Sequence, residues 1–277
     1  MLARGGIKEQ RVEADETAMA LDIREVLNRR SDLSTFLVHL TREQTDGMSA
    51  ASNLESIICE RRLRAASPLG WAKTQDDADD PTRQTQRVVC FSETPLEHTY
   101  SLFADIAGRD VQLQPYGLAL TKILARMMGV HPVWYVDMTT RGGREWEEAR
   151  ALDELRDQAV EAETFHTSPL AKILPFFEHM GTWPNSRKEF SWEREWRHHG
   201  ELDLTPYWNR VIWLCPEDEH ATFESLVADA APPGQQHGSV CLDPGWGTEQ
   251  IIARLCGLPA EDVSLFYAAA GRNNNGS

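Results

Sequence analysis

The stretch FSWEREWRHHG, from Phe190 to Gly200, is the part of the sequence that most constrains the fold. Glu193 and Glu195 stand two residues apart in it, beside Trp192 and Trp196. On a helix, residues i and i+2 point in different directions, whereas on a strand they share a face. We therefore expect a strand that carries both carboxylates on one face, where they repel each other unless the fold uses or compensates them.

Two interpretations of this strand stay open at the level of sequence. In the first, the two carboxylates line a site and take part in its chemistry. In the second, the segment is an edge strand whose glutamates face water while Arg194 and Trp196 pack inward. Cross-strand salt bridges from Arg187, Arg194 or Arg197 would then relieve the repulsion.

The remainder of the chain alternates irregularly between short apolar runs and helical patterns. The runs FLVHLT, VVCFSE, YGLAL and VIWLC predict strands. Helical patterns occupy residues 12–29 and 144–164, and the segments SNLESIICERRLRA with Asn53 as its N-cap, SPLAKILPFFEHMG broken at Pro175, HATFESLVADA and TEQIIARLCGL. This irregular order predicts an α+β fold rather than a regular βαβ winding. We expect a helical segment over residues 1–30, one domain over 31–270 and a tail over 271–277.

Composition restricts the class of protein. The chain has 277 residues, of which 41% are hydrophobic and 26% charged, and its formal net charge is −15. That acidity argues against duplex nucleic acid as a partner and fits a protein partner. Because the sequence shows no long apolar run and no signal-peptide pattern at its start, we expect no membrane association and a cytoplasmic location.

Familiar motifs of catalytic and metal sites do not occur in the sequence. It contains no P-loop, no GxGxxG after a predicted strand, no HExxH and no GxSxG. Its five cysteines are widely spaced without a CxxC pair, which predicts reduced thiols and no metal site.

Four motifs in order carry a resemblance to a known family. They are the HLT of FLVHLT, CFSETPL at residues 90–96, YGL followed by GVHPVWY, and EREWR at residues 193–197. Over about residues 34–215 the chain resembles the AbiGi family of abortive phage-resistance proteins. Members of that family are often catalogued as antitoxins. The resemblance therefore implies a role in phage defence or in a toxin–antitoxin system, with a toxin, an antitoxin or a phage protein as partner.

The same layout is similar, more distantly, to the ADP-ribosyltransferase superfamily, including DarT-like enzymes. That similarity implies split, bent, mixed β-sheets flanked by helices, with NAD as the substrate bound between them. It implies Glu195 and Glu193 as catalytic residues, and it implies that His39, Thr41, Ser92 and Tyr116 bind NAD. The chain departs from the DarT pattern at Glu93, where a neutral or basic residue is expected.

The chemistry of NAD cleavage explains why a glutamate would be needed. Loss of nicotinamide passes through an oxocarbenium-like state, which a fixed carboxylate stabilises more than it stabilises the ground state. In this hypothesis Glu195 holds the ribose and Glu193 meets the acceptor of ADP-ribose. His39 binds the ribose diol in the same hypothesis, and Tyr116 or Tyr100 stacks on nicotinamide.

Plainer interpretations of these residues remain open. His39 can be a hydrogen-bonded core histidine, and either tyrosine can simply pack in the core. The alternative function is accordingly a non-catalytic antitoxin or phage-sensing interaction protein on the same fold. We expect His39 and Glu195 to line one cleft if the chain is an NAD-cleaving enzyme.

Overall fold

The computed structural model describes residues 33–66, 69–72, 85–105, 112–139, 147–183, 186–188, 194–235 and 240–258. Residue contacts divide the chain into two compact units, Met1–Asp32 and Leu33–Ser277, and all described residues belong to the second. The helix expected within residues 1–30 and the tail expected over 271–277 lie outside the described residues. None of the described helices is long and apolar enough to cross a membrane.

A seven-stranded sheet forms the centre of the described unit. Its strands, in spatial order, are β12 (Cys241–Leu242), β11 (Ile212–Leu214), β4 (Gly117–Thr121), β1 (Phe36–Leu40), β3 (Val88–Ser92), β9 (Glu195–His199) and β5 (His131–Pro132). Every neighbouring pair is antiparallel except β11 and β12, which run parallel. The strand predicted around EREWR is therefore internal to this sheet, with β3 on one side and the short β5 on the other.

Two smaller sheets accompany the central one. The first has three strands in the order β6 (Trp134–Asp137), β7 (Phe177–Trp183) and β8 (Ser186–Lys188), with a parallel β6–β7 pair. The second pairs β2 (Arg62–Leu63) with β10 (Leu202–Asp203). The chain thus combines parallel and antiparallel pairing, and antiparallel pairing predominates.

The described helices are α1 (Ala50–Glu60), α2 (Tyr100–Phe103), α3 (Lys122–Met127), α4 (Glu147–Glu161), α5 (Pro169–Ile173), α6 (His220–Ala230) and α7 (Thr248–Leu255). Ser49 caps α1, because its side chain accepts a hydrogen bond from the backbone N–H of Ser52. The prediction of Asn53 as N-cap is wrong. Asn53 is buried one turn later, and its amide donates to the carbonyl of Arg42 at 2.7 Å.

Both faces of the central sheet are packed. On one face, called the His39 face, Leu37, His39, Phe91, Leu118 and Trp196 point to the same side. Helices α1, α3 and α6 cover this face with Leu54, Ile58, Leu124, Phe223 and Val227. The opposite face, called the Glu195 face, carries Val38, Ser92, Glu195 and Arg197. Its apolar part packs against Leu102, Trp246 and Ile251.

The α+β prediction is confirmed at this coarse level, and one element differs from expectation. The segment SPLAKILPFFEHMG begins as helix α5 and a 3₁₀ turn over Leu174–Phe176, but β7 starts at Phe177. Pro175 lacks an N–H and limits helix propagation. The residues after it extend and pair with β6, so that Glu178 lies on a strand beside the central sheet.

Candidate functional site

Glu195 is the first residue of β9, and the chain changes direction just before it. Arg194 has φ = +44°, in the left-handed region that residues other than glycine seldom adopt. An extended strand therefore does not continue back through Arg194. The prediction that Glu193 and Glu195 share one strand face requires such a strand, so it loses its basis. Glu193 itself lies outside the described residues.

The carboxylate of Glu195 is bound by Arg197, two residues further along the same face. Arg197 donates from Nε to Oε1 at 3.0 Å and from Nη2 to Oε2 at 2.7 Å, which is a bidentate pair. Its Nη2 also donates to Oε2 of Glu178 at 2.6 Å, and its Nη1 donates to the carbonyl of Pro175 at 2.9 Å. We call Glu178, Glu195 and Arg197 the Arg197 cluster.

The Arg197 cluster is enclosed and connects β9 of the central sheet to β7 of the smaller sheet. The side chain of Arg197 is 1% exposed and that of Glu195 is 15% exposed. Burial lowers the pKa of the guanidinium, but the charge and hydrogen bonds of Glu195, together with the charge of Glu178, outweigh it and raise the pKa overall. Because an unpaired buried charge is strongly unfavourable, the three side chains depend on one another.

Ser92 and Cys90 stand beside the Arg197 cluster on β3. The strand register places Ser92 opposite Glu195 and Cys90 opposite Arg197. Burial, and then the negative charge of Glu195, raises the pKa of the Cys90 thiol well above its usual value. A thiol held in its protonated form is a weak nucleophile, so Cys90 is placed as a packing residue and not as a reactive one.

His39 lies on the other face of the sheet. Its Nδ1 lies 2.7 Å from the carbonyl oxygen of Cys90, and its ring centroid lies 5.6 Å from that of Phe91. Since a carbonyl can only accept, Nδ1 carries the proton in this contact. Burial lowers the pKa of His39, which favours the neutral imidazole. These contacts match a hydrogen-bonded core histidine.

Thr41 and Tyr116 also serve the packing on the side of His39. Thr41 is buried, and its hydroxyl donates to the carbonyl of Ala50 at 2.8 Å, with the carbonyl of Tyr116 at 3.1 Å. The hydroxyl of Tyr116 donates to Oε1 of Glu219 at 2.5 Å. Burial and that hydrogen bond raise the pKa of Tyr116, and its ring packs on Phe223 at 6.1 Å.

Of the six residues that the sequence predicts for an NAD site, five fall into two separate groups, and the sixth, Glu193, lies outside the described residues. Ser92 and Glu195 are direct neighbours on the Glu195 face. His39 lies on the opposite face, and Thr41 and Tyr116 join the packing at the adjoining ends of β1 and β4. The expectation that His39 and Glu195 line one cleft does not hold, because a packed sheet separates them. Tyr100, the first residue of α2, is about half exposed, and its ring contacts the ring of His98.

Two features of the region were missed at the level of sequence. The first is Glu178, which lies in a segment with a helical pattern, so the sequence does not predict its position beside Arg197. The second is the role of Glu93, whose Oε2 accepts from the Trp196 indole at 3.0 Å and whose Oε1 meets the Lys122 ammonium at 2.6 Å. The only available signal was the acidic residue at the position where the DarT pattern has a neutral or basic one.

Among the residues that the structure describes, no group of three or more His, Cys, Asp or Glu side chains is arranged to hold a metal ion. All five cysteines are free. The arrangement around Glu195 is an ion-pair centre built on β9 and β7.

Comparison with known proteins adds no family assignment to this geometry. No protein-family model, no curated protein and no solved structure matches the chain.

Proposed function

We propose that the chain is a non-catalytic interaction protein of a phage-defence or toxin–antitoxin system. The system is inferred from the four motifs that resemble the AbiGi family. The non-catalytic role rests on one observation: Glu195, the described candidate for catalysis, is the bidentate partner of a buried arginine. In this account Glu195 and Arg197 of EREWR build the Arg197 cluster, and Trp196 packs in the core.

Electrostatics support this role for Glu195. A catalytic carboxylate in NAD cleavage must meet a developing positive charge on the ribose. The charge of Glu195 already faces a guanidinium nitrogen at 2.7 Å, and a second carboxylate, Glu178, shares the same guanidinium. A carboxylate that is compensated in this way has less attraction to offer an oxocarbenium ion, and removing it from Arg197 would leave a buried charge unpaired.

The distribution of the other candidates supports the same conclusion. One NAD molecule cannot contact His39 and Glu195 together across a sheet whose two faces are both packed. Thr41 and Tyr116 already use their hydroxyl groups on internal acceptors. The hydroxyl hydrogens of Thr41 and Tyr116 are therefore used within the fold and are not available to a ribose diol.

An ADP-ribosyltransferase-like enzyme is the second candidate, and one observation favours it. Ser92 and Glu195 are paired in register on one face, and neither is fully buried. Each oxygen of the Glu195 carboxylate accepts one bond from Arg197, and the side chain is 15% exposed. In this alternative, NAD is the substrate, and the sequence and structure do not identify the acceptor of ADP-ribose.

Nicotinamide release separates the two functions. We expect the purified protein to release no nicotinamide from NAD above a protein-free control, and Glu195→Gln to leave that result unchanged. His39→Ala is the matched control, because it removes a candidate from the opposite face. Release by the wild-type protein that disappears in Glu195→Gln, with an unchanged melting temperature, would overturn the proposal and support the enzyme.

A further inference from the structure

Helix α3 exposes two large apolar side chains on one side. Ile123 is 71% exposed and Met127 is 61% exposed, and their i, i+4 spacing makes them neighbours on the helix surface. The opposite side of the same helix is buried through Leu124 and Ala125. Exposed apolar residues are common singly, but an adjacent pair on a short helix is a small apolar patch.

Cationic side chains border this apolar pair. The guanidinium of Arg126 lies 5.4 Å from the centre of the Trp196 ring, and the ammonium of Lys122 lies 5.9 Å from it. Trp196 is buried, so it fixes the position of both cations. The cations are thus held close to the apolar pair before any partner arrives, which reduces the entropic cost of binding.

Among the described side chains next to this apolar pair, cations outnumber carboxylates, although the whole chain is acidic. Lys122 and Arg194 both approach Oε1 of Glu93, at 2.6 and 3.7 Å, and Arg126 stands on the same ring as Lys122. Two cations therefore pair with the Glu93 carboxylate and a third lies on the neighbouring Trp196 ring, whereas the chain as a whole has a formal net charge of −15. We call Lys122, Ile123, Arg126 and Met127 the α3 surface.

We propose that the α3 surface docks an acidic segment of a partner protein that presents apolar side chains between its carboxylates. This inference rests on the proposed function and names the kind of partner. Apolar contacts with Ile123 and Met127 would supply affinity, and Lys122 and Arg126 would attract carboxylates and repel a second basic surface. The acidity of the rest of the chain repels an acidic partner elsewhere and so directs it to this surface.

Peptide selection tests the partner chemistry without knowledge of the partner. Random 12-residue peptides displayed on yeast are selected on the full-length protein. The affinities of the enriched peptides are then measured for the wild type, for Ile123→Ser with Met127→Ser, and for Arg126→Glu. Lys122 is left in place because it pairs with Glu93. The matched control is Ile252→Ser with Leu255→Ser on α7, whose side chains are 53% and 58% exposed.

We expect enriched peptides to carry net negative charge and at least two apolar residues. Both α3 variants should weaken their binding by about tenfold or more, which corresponds to about 1.4 kcal/mol, and the α7 control should not. Higher salt should weaken binding to the wild type more than binding to Arg126→Glu. Peptides that are neutral or basic, or that bind the α3 variants as well as the wild type, would overturn the inference.

Two further probes give outcomes that would also overturn it. Binding of an anionic phospholipid vesicle or of a single-stranded oligonucleotide that is lost in the α3 variants, without any acidic peptide, would assign the surface to a membrane or to nucleic acid. The failure of this inference is distinct from the failure of the proposed function, because the first is measured by peptide affinity and the second by nicotinamide release.

Discussion

Arg197→Met should destabilise the protein by about 3–5 kcal/mol, because breaking a buried ion pair on one side leaves the other side unpaired. Methionine fills a similar volume, so the loss is mainly electrostatic. The carboxylates of Glu178 and Glu195 lose three hydrogen bonds from the guanidinium and keep their negative charges close together. A typical domain has only about 5–15 kcal/mol of stability, so this variant should lose a large fraction of it.

Chemical denaturation with two further variants checks the cause of that loss. Arg62→Met is the matched control, because Arg62 pairs with Glu201 at 3.2 Å where both side chains are about half exposed. Exposed pairs of this kind contribute about 0–1 kcal/mol. Adding Glu178→Gln and Glu195→Gln to Arg197→Met should restore part of the stability. Equal stability of Arg197→Met and Arg62→Met would show that the Arg197 cluster does not hold the two sheets together.

Gly117→Ala should cost about 3 kcal/mol, at the upper end of what overpacking of a core costs. A Cβ atom at this position would stand 2.0 Å from the backbone oxygen of His39 and 2.9 Å from Cα of Leu40. These are backbone atoms of the neighbouring strand β1, so no side chain can rotate to make room. The strands β1 and β4 would have to separate at the centre of the sheet.

Denaturation also measures this effect, with another glycine as control. Gly247 has no atom closer than 3.9 Å to a built Cβ, and Gly247→Ala changes only the N-cap of α7, for an expected loss below about 1 kcal/mol. Stability of Gly117→Ala within about 0.5 kcal/mol of the wild type would contradict the account. The close approach of β1 also explains, in physical terms, why glycine follows Tyr116 in the YGL motif.

Local patterns predicted individual elements better than they predicted how those elements meet. The apolar runs around His39 and Cys90 correctly indicated β1 and β3, because short β-branched and aromatic runs favour strands. The pattern after Pro175 predicts a continued helix, yet these residues form β7, since pairing with β6 overrides a weak local preference. Nothing near Glu178 in the sequence indicates that its partner lies on β9.

The candidate site shows the same limit more sharply. Period-2 alternation states which residues of one strand share a face, but it does not relate the faces of two strands. The register that places Ser92 opposite Glu195 and Val38 opposite Ser92 puts His39 on the other side, and only strand pairing reveals it. The left-handed conformation of Arg194, directly before the first residue of β9, has no signal in residue type either.

A double-mutant cycle between Glu195 and Arg197 tests the central claim, that Glu195 is a structural partner of Arg197, most directly. The free energy of unfolding is measured for the wild type, Glu195→Gln, Arg197→Met and the double variant. We predict a coupling energy of about 2 kcal/mol, within the range found for residues in one salt-bridge network. A coupling below about 0.5 kcal/mol, with Glu195→Gln as stable as the wild type, would contradict the claim and return Glu195 to the candidates for catalysis.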